Sequence, residues 1–168
     1  DHLKINNYTF DYQAEQPEHY MEAIHLFSRI LELKPGHVPS LYFRGAAKYR
    51  VNDYKGALDD YDNALKNGAG FPSLFINRGN MHYCLGHYGR AIDNYDRAIE
   101  SDNTNVRAYY NRALAYAELN NLENAHRDYS RVIELNPENA SAYSGRAHIC
   151  FKKKHYHDAI NDFTSAIS

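Results

Sequence analysis

His82, Cys84 and His87 crowd one short stretch of the chain, and His155 and His157 crowd another. Imidazole and thiolate side chains hold zinc or act as nucleophiles, so these clusters are the first candidates for chemistry. A metal needs three or four converging ligands, and no CxxC or HExxH spacing supplies them here. His87 and His155 fall where turns are expected, and Cys84 stands among variable positions. Asp59–Asp60 and Asp93 read more simply as solvated helix faces than as an acid–base pair. No GxSxG motif or P-loop is present, and Gly86 and Gly89 flank a turn without forming a phosphate loop. The expectation is a chain that is not an enzyme, with no catalytic residue, metal or cofactor.

Composition narrows the partners. The 168 residues carry a formal net charge of −2, which gives no global pull toward nucleic acid or an anionic membrane. No apolar run is long enough to cross a bilayer. Residues 1–17 are polar and lack the apolar core of a signal peptide. Cys84 and Cys150 are far apart with no redox spacing, as expected for a reduced intracellular, cytoplasmic protein. The chain opens on Asp1 rather than Met, the mark expected of a fragment.

The elements that position every residue follow from one period. Ala23, Ala57, Ala91, Ala125 and Ala159 recur every 34 residues. Four residues after each comes Phe27, Tyr61, Tyr95, Tyr129 or Phe163, and three further on Ile30, Ala64, Ala98, Val132 or Ala166. Three before each comes Tyr20, Tyr54, Tyr88, Leu122 or Tyr156. Such a stripe is one face of an α-helix. An earlier helix in each block opens on Leu41, Phe75, Tyr109 or Tyr143 and carries Gly45, Gly79, Ala113 or Ala147 four later. Asp53 and Asn121 are strong N-cap candidates, and His87 and His155 weak ones. Pro35 and Pro137 follow the second helix of a block; Pro72 opens a first helix. The pattern predicts helices over 18–33, 38–51, 54–67, 72–85, 88–101, 106–119, 122–135, 140–153 and 156–167.

The block "AYYNRALAYAELNNLENAHRDYSRVIELNPEN" resembles a tetratricopeptide repeat, in which two antiparallel helices form each unit. The resemblance implies an all-α fold, an α-solenoid of antiparallel helix pairs wound into a right-handed superhelix. It divides the chain into a degenerate first-repeat helix over 1–19, a half repeat over 20–37, and repeats over 38–71, 72–105, 106–139 and 140–168. "GAG" at 68–70 and "DN" at 102–103 depart from the usual Asp-Pro ending, so looser turns are expected there.

In this family the first helices line a groove that holds a segment of a protein or peptide partner. The resemblance places Tyr42, Tyr49, Asn77, Asn80, Tyr83, Arg107, Tyr110, Asn111, His148 and Phe151 on that groove, with Ile76 beside them. Tyr and Phe offer large contact area with few rotors, and Asn can donate to and accept from a peptide backbone at once. Some members clamp the C-terminal carboxylate of heat-shock chaperones. Here Asn80 and Asn111 match two of the clamp's five places, but Ile76, Ser141 and Gly145 stand where basic residues are needed, which argues against that partner. Asn77 and Asn111 resemble two rungs of the asparagine ladder of the intracellular O-linked glucosaminyl transferase. The alternatives are a homo-oligomer built through uncapped solenoid ends, or the substrate-recruiting arm of a larger enzyme.

One further period stands out. Arg44, Arg78, Arg112 and Arg146 each precede the small residue of a first helix, where the family most often has Leu. A buried lone Arg is prohibitive. Each second helix carries Asp60, Asn94, Asp128 or Asp162 just before its aromatic, and a ladder of Arg heads on these side chains is expected.

Overall fold

The computed structural model describes residues 17–167, all of them in helices or the short turns between. Among these residues there are nine helices: α1 (Pro17–Leu33), α2 (Val38–Arg50), α3 (Tyr54–Lys66), α4 (Pro72–Cys84), α5 (Tyr88–Ser101), α6 (Val106–Glu118), α7 (Leu122–Leu135), α8 (Ala140–Lys152) and α9 (Tyr156–Ile167). Each lies where the periodic stripe predicts it. The helix expected before Pro17 lies outside the described residues.

The turns explain why the helices stop where they do. Within each hairpin one residue adopts the left-handed conformation: Asn52 (φ 63°), Gly86 (φ 75°), Asn120 (φ 55°) and Lys154 (φ 64°), again at the 34-residue period. Gly and Asn enter that region at little cost. Around Asn52, the Asn52 N–H bonds to Tyr49 O at 3.0 Å and the Asp53 N–H to Lys48 O at 2.9 Å, which consumes the last carbonyls of α2. The same pair of bonds closes α4, α6 and α8. The "GAG" departure is closed in the same way: Gly68 (φ 88°) lets the Gly68 and Ala69 amides return to Leu65 O and Ala64 O. After the Asn52 turn α3 starts at once, and the Asp53 carboxylate accepts from the Gly56 amide at 2.9 Å as its cap. His87 makes no side-chain cap bond. Asn105 and Asn139 also cap, α6 and α8, through the Ala108 and Ala142 amides.

Packing follows the small residues. Ala57, Ala64, Ala91, Ala98, Ala113 and Ala125 are fully buried at the crossings, beside the buried rings of Tyr61, Tyr95 and Tyr129. A Cβ on Gly79 would stand 2.5 Å from Cε1 of Tyr95, so the glycine is required by close approach in spite of its cost in helix propensity, about 1 kcal/mol. In α1 the buried residue is Leu31, not Ile30, which is exposed.

Every helix packs on the next one in sequence. In addition α2 meets α4, α4 meets α6 and α6 meets α8, whereas the described second helices α3, α5, α7 and α9 do not meet one another. First helices that touch and second helices that splay bend the stack. The first helices therefore line the inner face of the superhelix.

Candidate functional site

Three polar bridges cross the inner face between successive first helices. Asn77 Nδ2 donates to the Tyr42 hydroxyl at 3.1 Å. Asn111 Nδ2 donates to Asn80 Oδ1 at 2.8 Å, and the buried Tyr95 hydroxyl donates to the same oxygen at 2.9 Å. The Tyr83 hydroxyl donates to Glu118 Oε1 at 3.3 Å. Asn77 and Asn111 thus bond to Tyr42 and Asn80 respectively. Asn80 was expected from the sequence; Tyr95, the residue that orients it, was read as core.

Around these bridges lie rings. Tyr49 packs on Tyr54, Tyr83 on Tyr88 and Phe151 on Tyr156, with centroids 5.9, 5.3 and 5.6 Å apart, so three hairpins carry an aromatic pair at the turn. Tyr110 sets its edge against the buried Tyr129. His148 packs on Phe163 while its Nδ1 lies 3.0 Å from Ser144 O. Arg107 is exposed at the start of α6. Ile76 departs from expectation: it is 2% exposed, packed with Phe75, Ala98 and Ala108 in the core, and does not belong to this face. Burial and then the Glu118 charge push the Tyr83 hydroxyl up to about 12, so it remains a donor at neutral pH.

The arginine ladder is formed, and it is double. Arg44 binds both oxygens of Asp60 at 2.9 and 2.6 Å. Arg112 binds both oxygens of Asp128 at 2.7 and 2.8 Å, and Arg146 both oxygens of Asp162 at 2.8 and 2.7 Å. Arg78 donates to Asn94 Oδ1 at 2.8 Å. Each arginine also reaches back to the preceding second helix: Arg44 to Ser28, Arg78 to Asp62, Arg112 to Asp96 and Arg146 to Ser130. This second set was missed. The signal was a mirrored spacing, since every partner lies 16 residues before or after its arginine. Burial opposes the Arg112 charge, but the bonds to Asp128 and Asp96 outweigh it and raise the guanidinium pKa.

A tetratricopeptide repeat model matches residues 106–139, and a second TPR repeat model matches residues 79–120. Residues 79–139 carry tetratricopeptide repeats. No curated protein matches its sequence. Among solved structures, the repeat array is similar to MamA from Desulfovibrio magneticus RS-1, at 21% identity and a TM-score of 0.84 over 88% of this chain and 84% of that one. It is also similar to YrrB, described as a TPR protein with an unusual peptide-binding site, at 23% identity and a TM-score of 0.79 over 89% and 77% of the two chains. The first TPR of Spaghetti (RPAP3), bound to the HSP90 peptide SRMEEVD, is 26% identical with a TM-score of 0.67 over 70% and 93%. The likeness to MamA and YrrB concerns the fold.

Of the residues first considered for chemistry, His82 and His87 set their rings 6.0 Å apart. Among the described residues no three His, Cys, Asp or Glu side chains come together to hold a metal. Cys84 and Cys150 are unpaired, and burial raises both thiol pKa values, the opposite of what an activated nucleophile needs. No helix among the described residues is long and apolar enough to cross a membrane. His82 is 3% exposed, and its buried Nδ1 has no hydrogen-bond partner. Burial, then the charges of Arg78 and Arg90, lowers its pKa, and burial likewise lowers that of His126. The unfolded chain therefore takes up protons on these rings first. Stability is full above the unfolded value of about 6.5 and is lost as pH falls through the lower folded values. Thermal scans should show Tm dropping below about pH 6.5, and His82→Gln should flatten part of that slope.

Proposed function

We propose that this tetratricopeptide array binds a segment of a protein partner along its inner face, as a scaffold without chemistry of its own. One observation carries the reading. Asn80 Oδ1 receives both Tyr95 and Asn111, which fixes the two amides and leaves Asn80 Nδ2 and Asn111 Oδ1 without partners among the described residues. A pre-aimed donor beside a pre-aimed acceptor suits the N–H and C=O of a peptide backbone, at no ordering cost on binding. The flanking rings of Tyr42, Tyr49, Tyr83, Tyr110 and Phe151, with Asn77, Arg107 and His148, supply contact area. We divide the array into the half repeat 20–37 and repeats 38–71, 72–105, 106–139 and 140–168, and place it in a reducing, cytoplasmic setting in keeping with its two unpaired cysteines.

The Spaghetti domain holds an HSP90 peptide. A peptide of that acidic, carboxylate-ended kind does not suit this face. Ile76 is buried, and Ser141 and Gly145 bring no charge to the places where a clamp needs cations.

The test is position-dependent cross-linking. A benzophenone side chain at His148, in the same helical column as Asn80, should capture a partner in cells. The same group at Glu100, on the outer surface of α5, should not. Equal capture from both positions, or capture from Glu100 alone, overturns the inner-face reading.

A further inference from the structure

One rung of the arginine ladder is built unlike the other three. Arg44, Arg112 and Arg146 each set Nε and Nη2 on the two oxygens of a carboxylate in the helix that follows. At Arg78 that place holds Asn94, a neutral amide. Its Oδ1 takes one bond, from Nη1 at 2.8 Å, while Nε turns back to Asp62 at 2.6 Å. Nη2 is left without a partner among the described residues. Asn94 also donates its Nδ2 to Arg90 O at 2.7 Å, which ties a second arginine to the same spot. Arg90 is exposed and joins no ion pair among the described residues. It stands third in α5, where the positive end of the helix dipole favours an anion over a cation. The matching places in the neighbouring repeats hold Gly56, Asn124 and Asp158. One turn along α4 from Arg78 comes His82, where α2, α6 and α8 have Lys48, Tyr116 and Cys150. Lys48 meets Asp60 at 2.8 Å, but the residue that matches Asp60 beside His82 is again Asn94. The His82 Nδ1 is buried without a partner, and the ring lies 6.0 Å from that of His87.

We propose that Arg78, Arg90 and His82 form an oxyanion site between α4 and α5, and that its ligand is a phosphate group, free or as a monoester. Donors outnumber acceptors there. Two guanidinium groups face one carboxylate, Asp62, whose Oδ1 is already held by the Arg78 Nε. The electrostatics agree. After burial, the charges of Arg78 and Arg90 push the His82 pKa down, and the opposing charge of Asp62 does not cancel them. His82 is therefore a neutral ring at neutral pH, and with Nδ1 sealed off, Nε2 is the nitrogen left to donate. A single carboxylate matches a single arginine, as Asp128 matches Arg112. Two arginines and an imidazole suit the higher charge and the additional oxygens of phosphate, which guanidinium forks bind in pairs of bonds. The site uses none of the inner-face groups, and the inference does not rest on the peptide-binding reading.

Titration with inorganic phosphate, followed by NMR at an ionic strength held constant with chloride, tests the site. The Arg78 Nε–H and His82 ring resonances should shift and saturate. The Arg112 Nε–H, already held by a carboxylate, should stay in place. Arg90→Ala should weaken binding at least about tenfold, the loss of one charge-assisted contact. Asn94→Asp should weaken it further, because it gives Arg78 the carboxylate that the other three rungs possess. The same change should leave Tm at or above that of the parent, so lost binding in this variant cannot be put down to misfolding. A second titration with O-phosphoserine separates the sources: tighter binding than inorganic phosphate assigns a monoester, and weaker binding assigns the free ion. Shifts that grow without saturating, equal shifts at Arg112, or undiminished binding by Asn94→Asp overturn the proposal.

Discussion

Replacing Arg112 with Met is expected to lower stability by about 3 kcal/mol, a fall in Tm of roughly 6–12 °C for a chain of this size. Arg112 holds three charge-assisted bonds that tie α6 to both neighbouring second helices: Nη1 to Asp96 at 2.6 Å, Nε to Asp128 at 2.7 Å and Nη2 to Asp128 at 2.8 Å. Asp128 is 3% exposed, so the substitution strands a buried carboxylate without its cation. Removing one member of a buried pair costs far more than removing both. Arg112→Met with Asp128→Leu should therefore recover much of the loss, and calorimetry on the two variants decides the matter. A double variant no more stable than the single one would show that the pair stabilises beyond avoiding a stranded charge. A single-variant loss under about 1 kcal/mol would place Arg112 with ordinary surface ion pairs.

The ladder shows where reading the sequence stops. Asp60, Asn94, Asp128 and Asp162 were legible because they share one helix register with the aromatics that follow them. Asp62, Asp96, Ser28 and Ser130 were not, since each lies one place beyond the aromatic, on what reads as a solvated face. Only the lean of a first helix onto the preceding repeat brings them to an arginine. The helices themselves were legible almost to the residue, because one period imposed the same stripe again and again. Ile76 was misplaced for the opposite reason. A family register assigns positions, but a position occupied by Ile turns toward whichever apolar surface is at hand, here Phe75 and Ala98.

The two polar systems divide the work between them. The ladder runs between first and second helices and fixes how one repeat sits on the next. The inner-face bridges join first helix to first helix, and their donors and acceptors are not all consumed. Stability in such an array is close to a sum over neighbours, so a rung at each junction sets the curvature, and the curvature sets the spacing of the inner-face groups. A variant that loosens a rung should disturb binding indirectly, through that spacing.

On the inner-face binding proposed above, the direct effect on binding is expected at Tyr110 and Asn111. Tyr110→Ala with Asn111→Ala is expected to weaken the affinity for a captured partner by about a hundredfold, two factors of ten for one aromatic contact and one backbone-facing amide. The pair also has structural duties. Tyr110 packs on Tyr129 and Asn111 bonds Asn80, so the double variant should lose some stability as well. A control separates the two effects. Ala91→Leu overpacks a fully buried position of α5, at a cost of about 1–3 kcal/mol, and removes none of the inner-face amides. Titration calorimetry below both melting transitions should find near-normal affinity for Ala91→Leu and a hundredfold loss for the double variant. Equal losses in the two proteins would mean that the partner senses stability alone. An unimpaired double variant would remove the inner face from consideration.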